Sequence, residues 1–108
     1  IPNGDMCGFR LRTRRIDADT TLSVMDSIII VASACTITLP ENAEDGQIYI
    51  FKRMGGQLTY IILPQGDDKI WGYTSVAESI EVTSSVNVIL HYDKINKYWC
   101  GGFLSHFT

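Results

Sequence analysis

Two apolar patterns alternate along the chain, and both belong to β-structure. In the first, polar and apolar residues take turns, as in Thr20-Thr21-Leu22-Ser23-Val24 and Cys35-Thr36-Ile37-Thr38-Leu39. Side chains two apart share a face of a strand, so each segment has one inward and one outward side. In the second pattern the apolar residues run on, as in Ile28-Ile29-Ile30-Val31. That run is too short for a helix and too rich in β-branched side chains, which predicts a buried strand. Pro40 stops the alternating segment before it, since proline has no amide for a ladder. Asp45-Gly46 then closes the polar connection 41–46 with a turn.

The second half continues in the same style. Gln47–Arg53 predicts a strand with Ile48 and Ile50 on one face and Tyr49, Phe51 and Arg53 on the other. Gly55-Gly56 predicts the turn of a hairpin that returns through Leu58–Leu63. After a turn-rich break at 64–69, Ile70-Trp71-Gly72 reads as a short edge strand. Ser79–Thr83, Val86–Tyr92 and Lys97–Phe103 follow as strands, with Asp93-Lys94-Ile95-Asn96 as a hairpin loop. The expectation is an all-β fold, an antiparallel sandwich or jelly-roll-like domain with helix content near zero, and not a βαβ sheet.

The opening segment differs in chemistry. Phe9–Arg15 predicts a strand with Phe9, Leu11 and Thr13 facing inward. Arg10, Arg12 and Arg14 would then project from the other face about 6.6–6.8 Å apart, because a strand rises about 3.3 Å per residue. With Arg15, this segment holds four of the nine basic residues of a chain whose net charge is −3.

Length and composition narrow the class. At 108 residues there is one core, which places a single domain over residues 9–108. Residues 1–8 read as a linker from a longer chain, because Ile1-Pro2-Asn3-Gly4-Asp5 has neither a signal peptide nor an initiator methionine. A hydrophobic share of 45% argues against disorder, and a charged share of only 19% points towards an oligomer. The charge gives no reason to expect nucleic acid or an anionic membrane as partner, and no apolar run approaches the roughly 20 residues that span a bilayer. Three cysteines, Cys7, Cys35 and Cys100, are an odd number without metal-ligand spacing. They read as reduced thiols, with Cys35 and Cys100 as small buried hydrophobes.

From Asp19 to Gly102 the segments fall in a recognisable order: D-T-T-L, S-I-I-I-V, T-I-T-L-P, D-G-Q-I-Y-I-F-K, D-D-K-I-W-G, S-V-N-V-I-L-H-Y and a closing Y-W. This succession resembles the C-terminal β-domains of phage tail fibres, tail spikes and neck appendages. The resemblance implies a homotrimer at the end of a fibrous parent chain, in a virion tail or appendage assembled in the bacterial host cytoplasm. It also implies one of two roles, a receptor-binding head or an assembly domain that brings three chains into register. In the appendages of small Bacillus phages such a domain is released by self-cleavage of the parent and associated with ATP.

The candidate site residues follow from these readings. Arg10, Arg12, Arg14 and Arg15 form a stripe whose guanidinium forks suit phosphate oxygens, so ATP or another anion is a candidate ligand between subunits. The competing role is pairing with Asp17, Asp19 or Asp26 of a neighbouring subunit. Lys52 and Arg53, beside Met54-Gly55-Gly56, would add phosphate contacts or form a solvated turn. There is no Walker-type G-x-x-x-x-G-K-[ST]. Trp71, Tyr73 and Tyr98, with Tyr92 and Trp99, suit either the sugar rings of a host-surface glycan or a subunit interface. Asp67-Asp68 with Asp45 or Asp93 has calcium-like composition without calcium-loop spacing. Cys100 with His91 or His106 is the one conceivable nucleophile pair, and His91 and His106 are too far apart in sequence to form a zinc pair. The leading expectation is therefore a trimerising, chaperone-like assembly domain. A receptor-binding head is the alternative, and a small glycan-degrading enzyme comes third.

Overall fold

The computed structural model describes residues 11–54, 58–71, 76–83 and 87–104. Among them are eleven strands and no helix. In chain order these are β1 (Thr13–Ile16), β2 (Thr20–Thr21), β3 (Ile28–Val31), β4 (Thr36–Thr38), β5 (Ile48–Arg53), β6 (Tyr60–Leu63), β7 (Lys69–Trp71), β8 (Val76–Ala77), β9 (Ile80–Val82), β10 (Asn87–Asp93) and β11 (Tyr98–Leu104). They form a seven-stranded sheet in the order β1-β3-β5-β10-β11-β7-β8 and a four-stranded sheet in the order β9-β6-β4-β2. The domain is all-β and sandwich-like, with one core between its sheets.

The pairing is mixed, and this corrects the expectation of purely antiparallel sheets. From β1 to β6 the chain alternates between sheets, and successive strands of each sheet lie parallel. In the large sheet Thr13 pairs with Ile28 and Ile28 with Ile50; in the small one Thr20 pairs with Ile37 and Ile37 with Ile62. The first half therefore winds as a coil, each turn adding one strand to each sheet. Bonds such as Ala32 N to Ile16 O (2.7 Å) and Met54 N to Val31 O (2.8 Å) carry the ladder past the strand ends. The second half is largely antiparallel: β10 pairs with both β5 and β11, and β9 returns to pair with β6.

Two further expectations change with this topology. The segments 47–53 and 58–63 do not pair as a hairpin, because β3 and β10 already occupy both edges of β5. Gly55-Gly56 lies outside the described residues. Nor is β7 an edge strand, since it pairs parallel with β11 on one side and antiparallel with β8 on the other. The β10–β11 hairpin forms as expected, its loop capped by the Asp93 carboxylate, which accepts from Ile95 N and Asn96 N. Asp45-Gly46 is the expected turn, Gly46 taking φ +88° where side chains are disfavoured.

The core follows the period-two pattern closely. Ile29, Val31, Tyr49, Phe51, Val88, Leu90 and Trp99 point inward from the large sheet, and Ile37, Tyr60, Ile62 and Val82 from the small one. Burial of each aliphatic or phenylalanine side chain contributes about 1.5–3 kcal/mol. Phe51 and Tyr60 bridge the layers with ring centroids 6.3 Å apart, and Tyr49 meets Trp99 at 5.6 Å within the inner face of the large sheet.

Candidate functional site

The large sheet carries apolar residues on its outer face as well as its inner one. Strand registers place them side by side. Ile28 lies beside Ile50, and Ile50 beside Ile89. One row along, Ile48, His91, Cys100, Trp71 and Val76 run across five neighbouring strands. Ile48, Trp71 and Val76 are exposed, while Ile28, Ile30, Ile50 and Ile89 are half-buried with their inward neighbours fully covered. Strands lie about 4.8 Å apart and same-face residues about 6.7 Å apart along each strand. The band therefore spans a footprint of roughly 400 Å², within the range of about 300–600 Å² for the largest apolar patch on a typical monomer, a patch that is often functional.

Trp71 and Tyr98 sit at one end of this band with ring centroids 5.7 Å apart, Trp71 being 47% exposed and Tyr98 half-buried. The other expected aromatics do not join them. Tyr92 and Trp99 meet at a tilt inside the core, their ring centroids 4.7 Å apart, and Tyr73 lies outside the described residues.

The arginine stripe takes the opposite phase from the expected one. Ile16 is the residue that enters the core, so Arg14 shares its inward side while Thr13 and Arg15 face outward. Arg14 Nη1 lies 3.0 Å from Asp26 Oδ2, and Arg12 Nε lies 3.6 Å from Asp26 Oδ1. Asp26, 2% exposed, also accepts from Ser23 N, so its pairing with the arginines is within the chain. Arg15 is exposed and donates to Met54 Sδ at 3.0 Å. Arg10 lies outside the described residues.

Lys52 and Arg53 are separated by strand alternation. Lys52 faces outward, in register with Ile30, whose other neighbour is Arg15. Arg53 turns inward and donates to Leu58 O at 2.7 Å, tying β5 to the start of β6. The outer face thus joins Arg15 and Lys52 on either side of Ile30, whereas Arg12, Arg14 and Arg53 reach carboxylate or carbonyl oxygens within the chain.

The remaining candidates divide. His91 and Cys100 are direct cross-strand partners on the outer face. Burial pushes the Cys100 thiol up, with Asp93 adding to it, which is the opposite of an activated thiolate. Cys35, half-buried against the core, is pushed up in the same way, with Asp19 and Asp17 adding. Cys7 and His106 lie outside the described residues. Asp45 accepts from Lys94 N at 2.9 Å, and Asn96, donating from its side chain, holds the Asp93 carboxyl below its usual range. Among the described residues no group of three or more His, Cys, Asp or Glu gathers to hold a metal ion, and no helix is long and apolar enough to cross a membrane.

The outer-face isoleucines were absent from the sequence-derived site. Their signal was present: Ile28–Val31 and Val88–Leu90 are apolar at both parities, as strands covered on both faces are. No family model matches the chain, and no curated protein is found to be similar to it.

Proposed function

We propose that this chain is a homotrimer-forming assembly module at the C-terminal end of a phage tail fibre, tail spike or neck appendage. The single observation that carries the reading is the apolar outer face of the seven-stranded sheet. Such a face needs cover, and further copies of the same chain supply it in a closed ring. The resemblance of Asp19–Gly102 to fibre-end domains supplies the biological setting, a virion tail or appendage assembled in the bacterial host cytoplasm.

Assembly makes physical sense of the partnership with a parent shaft. Three shaft strands bury little alone and expose edges that aggregate. A domain that trimerises first makes their association effectively intramolecular. In this reading the domain performs no catalysis itself, and any self-cleavage belongs to the parent chain. A nucleotide held between subunits would lie against Arg15 and Lys52, whereas Arg12, Arg14 and Arg53 are engaged elsewhere.

Light scattering at low micromolar concentration, with and without ATP, tests the reading. A mass of about 36 kDa, three times 12.1 kDa, is expected. A stable monomer under both conditions would overturn it. A host-receptor head is the second reading, favoured by the exposed Trp71 against Tyr98. It requires that the domain adsorb to host cells or their surface glycan and that Trp71→Ala abolish this. The glycan-degrading enzyme requires release of reducing ends from the same material.

A further inference from the structure

Across the outer face of the large sheet a charged row gives way to apolar ones, and His91 stands on the apolar side of that border. In the charged row Asp93 pairs with Tyr98 and Tyr98 with Lys69, whose Nζ lies 3.8 Å from Glu78 Oε2. The next row on the same face is Ile48, His91, Cys100, Trp71 and Val76. The row after it brings Ile28, Ile50 and Ile89 together. His91 is exposed, and it is the one histidine among the described residues.

The neighbours of the imidazole come from three strands. β10 lies antiparallel between β5 and β11, so His91 has a direct partner on each side, Ile48 and Cys100. Directly opposed residues have Cβ atoms about 4.5–5.5 Å apart. β5 presents only Ile48 and Ile50 nearby, since Lys52 stands about 13 Å along the strand from Ile48. β11 presents Tyr98 and Cys100, and burial pushes the Cys100 thiol up, so both are neutral near pH 7. Lys69 of β7 lies beyond Tyr98. Glu44 and Asp45, on the approach to β5, are engaged with Lys94. On its own strand His91 is flanked by Ile89 and Asp93. The Asp93 carboxylate already accepts from Ile95 N, Asn96 N and Asn96 Nδ2. The ion pairs among the described residues are those of Asp26, Lys69 and Lys94, so His91 has no carboxylate partner there.

In the free chain water solvates either form of this exposed ring. Covered by another copy, the ring stands among Ile48, Ile89, Cys100 and Trp71, where burial disfavours the charged form. Histidine is the side chain that ordinarily changes charge between about pH 5 and 8. We infer that His91 makes assembly of this domain pH-dependent, the chains associating while the imidazole is neutral and separating when it is protonated. The inference rests on the assembly reading of the same face and adds its regulation. The sign follows from linkage: the free chain binds more protons than the assembly, so acid favours the free chain. Asp93 is the one nearby charge that opposes this. It stands in the charged row at the edge of the band with its oxygens already taken, where solvent screens it.

The test is the light-scattering mass of the whole chain over a dilution series at pH 8 and at pH 5, at matched ionic strength, beside far-ultraviolet circular dichroism. The same series is run on His91→Gln, whose side chain stays neutral throughout. For the unaltered chain the concentration at half-assembly should be at least about tenfold higher at pH 5, the effect of one pH unit of linked protonation, with the circular dichroism unchanged. His91→Gln should assemble alike at both pH values. Equal or tighter assembly of the unaltered chain at pH 5, a pH dependence retained in His91→Gln, or dissociation that accompanies loss of circular dichroism would overturn the inference and leave the assembly reading standing. A single-chain mass at both pH values would overturn the assembly reading and the inference with it. Should His91→Gln fail to fold, the ring-proton resonance of His91 in the unaltered chain decides. It should titrate at lower pH in a concentrated, assembled sample than in a dilute one, and equal midpoints would overturn the proposal.

Discussion

Arg14 Nη1 lies 3.0 Å from Asp26 Oδ2, and that pairing joins the first strand of the large sheet to the loop entering its second. Asp26 also receives Ser23 N at 3.2 Å, and its carbonyl receives Gln47 Nε2 at 3.2 Å. Asp26→Ala leaves Arg14 without its partner and a loop amide unsatisfied. Arg14 remains 39% exposed, so the loss should fall below the 3–5 kcal/mol of a fully buried pair, at about 1–3 kcal/mol. Urea unfolding at matched subunit concentration measures it. Asp26→Asn should lose less, because the amide oxygen still accepts from Ser23.

Ile50 sits between Ile28 and Ile89 on the outer face. Under the assembly reading, Ile50→Lys should reduce the scattering mass to that of a single chain and leave the far-ultraviolet circular dichroism unchanged. The charge would be solvated in a monomer but buried in an interface, where an unpaired charge is strongly unfavourable. An Ile50→Lys protein with the unaltered assembly mass would remove this face from the interface.

Gly101 pairs with Leu90 at φ +153°, and a Cβ there would fall on the Ile89 carbonyl oxygen. The obstruction is backbone, which cannot rotate away as a side chain would. Gly101→Ala should therefore open the β10–β11 pairing and lose at least about 1–3 kcal/mol, the cost of a strained backbone position. Denaturant unfolding reads the loss directly. Gly46→Ala is a useful contrast, since nothing lies within 4 Å of its Cβ and only its φ of +88° resists.

Tyr49, Tyr60 and Tyr92 all ionise above the usual phenol value of 10.0, each chiefly through burial. Tyr92 is pushed up to about 12, its hydrogen bond to Asp68 adding to the effect. The unfolded chain releases these protons at lower pH than the folded one does. Stability from this source is therefore full below pH 10 and falls as pH rises towards the folded values. Absorbance titration at the phenolate band should show these tyrosines ionising together with loss of structure above pH 10. Early, independent ionisation of all three would contradict their burial.

Phe51→Ala removes the ring that meets Tyr49 at 6.1 Å and Tyr60 at 6.3 Å, joining the two layers. A cost of about 3–5 kcal/mol is expected, the range for emptying a fully buried aromatic site. Thermal unfolding at fixed concentration checks it.

Strand positions were largely legible in the sequence because they depend on local alternation. Ile48 and Ile50 fall opposite Tyr49 and Phe51 whatever the partner strands are, since the side-chain period of a strand is two. The ends at Asp45-Gly46 and the hairpin after Asp93 were legible for a similar reason, because turn residues act through their own backbone. Arg14 shows the limit. Its side was misassigned because Thr13 and Ile16 offer opposite phases, and only contact with the core chooses between them.

What the sequence determined by itself was an all-β chain, most of its strand segments, and the division of Gln47–Arg53 into two faces. What only the tertiary structure decided was which strands pair and in which direction. Neither the parallel coil from β1 to β6 nor the placing of β7 between β11 and β8 leaves a local mark. The same holds for the outer isoleucine band and for the meeting of Asp68 with Tyr92, residues 24 apart in the chain. The physical reason is that alternation sets the face on which a side chain stands. Its neighbours are set by long-range pairing, which follows from how the whole core closes.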